Sequence, residues 1–269
     1  DLHQFRVAMR RARTVVSAAH GVLPDEHRDR VGRTLRSMAA LTSPVRDLDV
    51  FIADLPDLCE EVPEVAPGAA DALVEIAVAT RERPSVRLEW ALRGPDGRHL
   101  FEDWELVSTP VPPGGSEPGA LATAPAVDVV DLWIAKAFKR TRRKGRVALE
   151  SDDLEHWHEL RKALKKLRYL VAAFGEMHSG KRLKPVRKRL RTLQEHIGSL
   201  QDLRVQMELA SELHERAVAA DLHAAADLAL GIRGQVSRRL ALAHAECTDA
   251  WQEFDVPRTR QAFKALTVG

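Results

Sequence analysis

A block of sequence recurs at a constant offset of 155 residues, and this duplication limits what the chain can fold into more than any other feature. His3-Gln-Phe-Arg6-Val-Ala-Met-Arg10-Arg11-Ala-Arg13 aligns with His158-Glu-Leu-Arg161-Lys-Ala-Leu-Lys165-Lys166-Leu-Arg168. Both copies read His-x-x-Arg-x-x-x-basic-basic-x-Arg. The same register aligns Leu35-Arg36-Ser37 with Leu190-Arg191-Thr192, and Asp47-Leu48-Asp49-Val50 with Asp202-Leu203-Arg204-Val205. Three ungapped matches at one offset imply two copies of one structural unit. The predicted organisation is a first half over 1–108, a Pro/Gly-rich linker over 109–126 and a second half over 127–269. Prolines and glycines crowd Ser108–Gly119, which argues against regular structure there and for a flexible connection.

Ala, Leu, Arg and Glu dominate the composition and there is a single Tyr, a mix that favours helix over sheet. The apolar residues recur with the helical period. They predict helices near 2–20, 27–42, 44–56, 68–93 and 97–107, then 127–145, 153–177, 182–198, 200–218, 222–250 and 258–266. Ser43-Pro44 reads as an N-cap followed by proline at the first helical position, and Gly198-Ser199 as a break at the matching place. Gly94-Pro-Asp-Gly97 reads as a turn. Val86–Trp90 has the composition of a short strand, but its long helical context outweighs that. The five tryptophans, Trp90, Trp104, Trp133, Trp157 and Trp251, fall at helical positions and read as core. A helix precedes the second His motif but none precedes the first, so its counterpart is expected upstream of Asp1 or lost.

The net charge of +2 hides strong sorting. Residues 1–36 carry eight Lys/Arg against four Asp/Glu, and residues 136–204 carry twenty against eight. Mixed charge serves solubility well, so concentrated cation suggests an anionic partner. In the first helix Leu2, Phe5, Met9, Ala12 and Val16 form the apolar stripe. His3, Arg6, Arg10 and Arg13 sit one residue further on, about 100° around the helix. In the second copy Leu160, Leu164, Leu167 and Val171 form the stripe beside His158, Arg161, Lys165 and Arg168. The next helix repeats the layout, with Leu183, Val186, Leu190, Leu193 and Ile197 beside Lys184, Arg187, Lys188 and Arg191. Its first-half equivalent has the sparser pair Arg33 and Arg36.

Guanidinium groups bind phosphate oxygens in a bidentate fork and lysine adds a mobile point charge. A cation every three or four residues gives about one per 5 Å of axis, which suits a linear polyanion. Histidine in the row makes affinity rise on acidification. One or two cations per copy are expected to pair structurally with Asp47 or Asp202. Cys59 and Cys247 stand far apart with no Cys-x-x-Cys, which excludes a disulfide framework and a thiolate zinc site and fits a reducing cytoplasm. No apolar run reaches the ~20 residues of a membrane span. The acids near the rows, Asp47, Asp49 and Asp202, are too few for metal-assisted phosphoryl transfer. The reading from residues alone is therefore a non-enzymatic polyanion binder without cofactor or metal. An RNA- or DNA-binding protein is the alternative, and a metal-dependent phosphohydrolase a weaker one.

The quoted segments, with Val45-Arg46-Asp47-Leu48-Asp49 and Leu160–Tyr169, resemble the CHAD family, the conserved histidine α-helical domain. The resemblance covers essentially the whole chain apart from a first helix. It implies two four-helix-bundle-like halves related by a pseudo-two-fold, with the basic rows facing a common surface. It also implies inorganic polyphosphate as ligand, association with polyphosphate granules in the cytoplasm, and a possible CYTH-type triphosphatase domain upstream. Sulfate or phosphate ions are expected on the same residues in crystals, and nucleic acid as a weaker polyanion. Arg204 departs from the family pattern, which commonly has an acid there.

Overall fold

The computed structural model describes residues 2–109, 119–151 and 153–267. Among them the helices are α1 (Leu2–Ala18), α2 (Asp25–Glu60), α3 (Ala69–Arg93), α4 (Pro95–Ser108), α5 (Ala126–Leu149), α6 (Leu154–Phe174), α7 (Gly180–Ala219), α8 (His223–Phe254) and α9 (Pro257–Thr267). A 3-10 turn at Gly175–Met177 follows α6. The described residues hold no strand beyond an isolated bridge between His20 and Leu23, so the all-helical class read from periodicity holds.

Two of the predicted breaks are absent. Helix α2 passes through Ser43-Pro44 and holds Pro44 and Pro56 inside it. Helix α7 passes through Gly198-Ser199. The cause is the buried stripe, which runs through each weak point without losing register. On α2 it continues as Leu35, Met38, Thr42, Val45, Leu48, Phe51 and Leu55, and on α7 as Leu190, Leu193, Ile197, Leu200, Ala210 and Leu213. Proline removes one backbone donor and crowds the preceding turn. At that turn the hydroxyls of Thr42 and Ser43 both donate back to the Ala39 carbonyl, at 3.0 Å. Each fully buried Leu or Phe stabilises by about 1.5–3 kcal/mol, so several of them together outweigh one local defect. The predicted turn at Gly94–Gly97 narrows to Gly94, and Pro95 opens α4 as its first residue.

The described residues group into two compact units. Unit 1 comprises Asp1–Val7, Thr34–Glu102 and Leu200–Ala243. Its core joins Phe51, Leu55 and Leu58 of α2 to Leu73 and Ala77 of α3, Leu213 of α7, and Ile232 and Val236 of α8. Polar ties at its margin include Arg81 to Asp49, Arg239 to Glu61, and Gln206 Nε2 donating to Asp54 at 3.0 Å.

Unit 2 comprises Ala8–Arg33, Asp103–Ser199 and His244–Gly269. Here α5 packs on α6 and on α9. The aromatic floor is Trp157, Trp251, Phe254 and Phe263, all buried, with Phe138 stacked on Phe263 at 3.9 Å between centroids. Gly145 is required at the α5–α8 contact, because a Cβ there would lie 2.1 Å from the Trp251 ring. Asp153 caps α6 by accepting from the Glu155 amide at 2.8 Å.

The predicted linker falls largely outside the described residues. Its end, from Gly119, is bonded to the α1–α2 loop: the Gly119 amide donates to the Val22 carbonyl at 3.2 Å and Leu121 to that of Gly21 at 2.6 Å. The two backbones approach so closely that a Cβ on Gly119 would meet Gly21 at 2.3 Å.

The tryptophans divide. Trp157 and Trp251 are core and Trp133 is half-buried, with its ring edge on Phe174. Trp90 is 74% exposed and Trp104 40% exposed, which corrects the reading of all five as core. Trp90 lies two residues from the buried Leu88, about 200° around α3, and Trp104 lies about 100° from the buried Asp103. Helical position alone does not make core, because the stripe must pass through it.

Candidate functional site

On α6 the apolar residues Leu160, Leu164, Leu167 and Val171 are all buried, and their packing fixes the helix about its axis. His158, Arg161, Lys165 and Arg168 then lie along its flank, each half-buried. Arg168 has its guanidinium carbon 4.7 Å from the centre of the Tyr169 ring, a cation–π contact. Its Nε is buried with no hydrogen-bond partner among the described residues. A buried donor left unmade costs about 1–3 kcal/mol, a cost that an acceptor beyond the described residues would relieve.

Helix α7 buries Leu183, Val186, Leu190, Leu193 and Ile197 and exposes Lys184, Arg187, Lys188 and Arg191. Arg187 and Arg191 reach Glu176 and Glu195 at the long separations of 3.8 and 3.7 Å, which leaves them available. On α1, Met9 and Val16 are buried, while Leu2, Phe5 and Ala12 are half-covered. His3 and Arg13 are exposed and Arg10 half-buried. Arg33 and Arg36 are exposed on α2. Arg6 is engaged structurally, donating to Thr42 Oγ1 at 2.8 Å and Ser43 Oγ at 3.1 Å. Of the expected residues, His3, Arg6 and Arg36 belong to unit 1 and the other eleven to unit 2.

The helix predicted over 127–145 is α5, and its cations were not among the expected binding residues. Val130, Ile134, Ala137, Thr141, Gly145 and Ala148 form its buried face. Arg142 and Arg146 flank that face and are held by Asp255 at 2.6 and 3.5 Å, and Lys144 is held by Glu159 at 3.2 Å. The outer face carries Lys136, Lys139, Arg140 and Arg143, the i, i+3, i+4, i+7 positions of one helix side. None of these four has an ion-pair partner among the described residues. An open groove of about 580 Å³ runs along six α5 cations and Val147. These cations are plain in the sequence, but they lie outside the segments that recur at the offset of 155.

Lys166 of α6 belongs to the same electrostatic surrounding. Its ammonium donates to the Ser17 carbonyl in the last turn of α1, at 3.2 Å. Burial first, then the Arg140 and Arg28 guanidinium groups, push its pKa below the ordinary lysine value. Lys166 is thus repelled by guanidinium groups of α2 and α5, of which Arg28 is paired with Asp25 at 2.7 Å and Asp29 at 2.9 Å while Arg140 has no ion-pair partner among the described residues.

Asp255 and Glu159 of this unit are already committed. Hydrogen bonds from Lys162 and then Lys144 hold the Glu159 carboxyl down at about 2, from 4.5. A depressed carboxyl stabilises the fold above its unfolded value, and that stabilisation is lost as pH falls through the folded value. Glu159→Gln should therefore flatten the acid limb of a stability-against-pH curve between 4.5 and about 2. An acid limb identical to that of the unaltered chain would contradict the pairing.

No curated protein matches this chain. The chain is similar in structure to a crystal structure of the CHAD domain from the plant Ricinus communis. That match has a TM-score of 0.68 at 21% identity, covering 98% of this chain and 81% of that one. It is also similar to PptA from Streptomyces chartreusis, with a TM-score of 0.67 at 18% identity, covering 93% and 89%. At such identities the likeness establishes the fold. The family model of the CHAD domain matches residues 1–211, well over half of the sequence, and the chain belongs to the CHAD domain family.

Proposed function

We propose that this chain is a binding module for inorganic polyphosphate, a long linear phosphate polyanion. The observation that carries this reading is Arg168, a guanidinium held against Tyr169 with a buried, unpartnered Nε. The outer face of α5, without ion-pair partners among the described residues, and the closeness of Arg140 to Lys166 support it. A phosphate chain supplies one charge per unit along its length and accepts from guanidinium forks and ammonium groups alike. Membership of the CHAD family supports the same ligand class.

In this reading the protein binds and does not turn its ligand over. Asp255 and Glu159 are held by Arg142, Arg146, Lys144 and Lys162, so they stand as structural counter-ions rather than metal-holding carboxylates. Binding of this kind serves to place the protein on polyphosphate granules in the cytoplasm. No helix among the described residues is long and apolar enough to cross a membrane.

The decisive measurement is a titration at one fixed salt concentration with long-chain polyphosphate and with single-stranded RNA of equal charge. Polyphosphate should bind at least tenfold tighter. Equal affinities would make the surface a general polyanion site, of the sort that binds nucleic acid through phosphates alone.

A further inference from the structure

One side of α3, in unit 1, is open among the described residues. Leu73, Ala77, Leu88 and Ala91 make its buried side. Val86 and Trp90 stand two residues to either side of Leu88, about 200° around the helix, and are 67% and 74% exposed. Pro84 lies inside α3 about 40° from Leu88, on the buried side, so the outer row runs on unbroken. An aromatic ring has about 150–250 Å² to bury, which makes Trp90 the largest apolar side chain on this face with surface to cover.

The row has the spacing of a coiled-coil seam. Ala79, Arg83, Val86, Trp90 and Arg93 follow one another at alternating steps of four and three residues, the a and d positions of a heptad, and all five are exposed. Glu82 and Glu89 then fall at g, along one flank, and Arg87 at e, along the other; these too are exposed. The two flanks therefore carry opposite signs.

Those signs choose the occupant and its direction. A uniformly acidic partner would meet Glu82 and Glu89, and a uniformly basic one Arg83 and Arg87. An antiparallel copy of α3 brings g against g and e against e, which sets glutamate on glutamate and Arg87 on itself. A parallel copy brings g of one chain against e of the other, five residues on. Glu82 then meets Arg87 of the partner subunit, and the two-fold repeats the pair. Val86 and Trp90 each pack on their own counterpart at the axis, while Glu89 keeps Arg93 of its own helix at 2.9 Å.

We propose that the outer face of α3 is a homodimerisation surface, in which two copies of this chain pair in parallel about a two-fold axis. Two apolar layers make a small interface, below about 1,200 Å², so the dimer is weak and forms as concentration rises. None of these residues belongs to the cation rows, and the dimer stands independently of the polyphosphate reading.

The test is sedimentation equilibrium of the full chain without polyphosphate, from roughly 1 to 300 μM, the range of a weak association. The mean mass should climb from the 29.9 kDa of one chain towards twice that value. Trp90→Ser should hold it at one chain, with helicity and melting temperature monitored. Glu82→Arg and Arg87→Glu should each weaken association at least tenfold, and the two together should restore it to within threefold, because the exchange rebuilds the pair with its signs reversed. A single chain throughout the range, undiminished association in Trp90→Ser, single reversals without effect, or a double variant no better than either single would each overturn the proposal. Should Trp90→Ser fail to fold, the charge exchange still decides.

Discussion

Arg140→Glu combined with Arg168→Gln is expected to lower polyphosphate affinity by about two orders of magnitude at near-physiological salt. The pair removes one guanidinium from α5 and the stacked one from α6. Removing charge-assisted phosphate interactions worth about 1.4 kcal/mol each corresponds to tenfold apiece. The dependence of log affinity on log salt should also become shallower, by about 0.7 for each phosphate of a single-stranded polyanion that the protein no longer neutralises. The fold should survive, because Arg140 is exposed and a glutamate there would face Lys166, whose ammonium that carboxylate would stabilise. Helicity by circular dichroism separates a binding defect from a folding defect. Unchanged affinity with an unchanged salt slope would reduce these residues to a solvated surface.

The second large effect concerns the core. Gly145→Ala should destabilise by about 1–3 kcal/mol, as over-packing of a filled site does, although alanine is intrinsically the better helix former. The added Cβ would lie 2.1 Å from the Trp251 ring, which is 1% exposed and has no room to retreat. Gly198→Ala should have the opposite sign. Nothing lies within 4 Å of a Cβ there, and the residue sits inside the uninterrupted α7. A gain of up to about 1 kcal/mol is expected from helix propensity. Thermal melts of the two variants should move in opposite directions, and a rise in both would mean that local propensity rather than packing governs both sites.

The helical class, the buried stripes of α6 and α7 and the cation rows beside them were legible in the sequence, because period and duplication are properties of the chain itself. Helix ends were less legible. Ser43-Pro44 and Gly198-Ser199 have the local chemistry of boundaries, and only the continuing burial of Leu35 to Leu55 and of Leu190 to Leu213 overrides it. That burial is tertiary and has no local signature. The same limit explains Trp90, whose exposure follows from which face of α3 finds a partner. The Arg168–Tyr169 contact joins adjacent residues, yet the burial of Nε that makes it informative depends on what packs around α6.

Helix α5 sorts its residues into three sets: a buried face, anchored cations on both flanks of it and unanchored cations opposite. Its core positions end at Ala148, its anchored cations are Arg142, Lys144 and Arg146, and its unanchored ones are Lys136, Lys139, Arg140 and Arg143. None of the four unanchored cations is buried or ion-paired among the described residues, so substituting them should leave the packing beneath intact. Selection could then retune the outer charge, in number or in sign, without rebuilding what lies beneath. A surface organised in this way lets ligand preference drift between relatives while the scaffold stays constant.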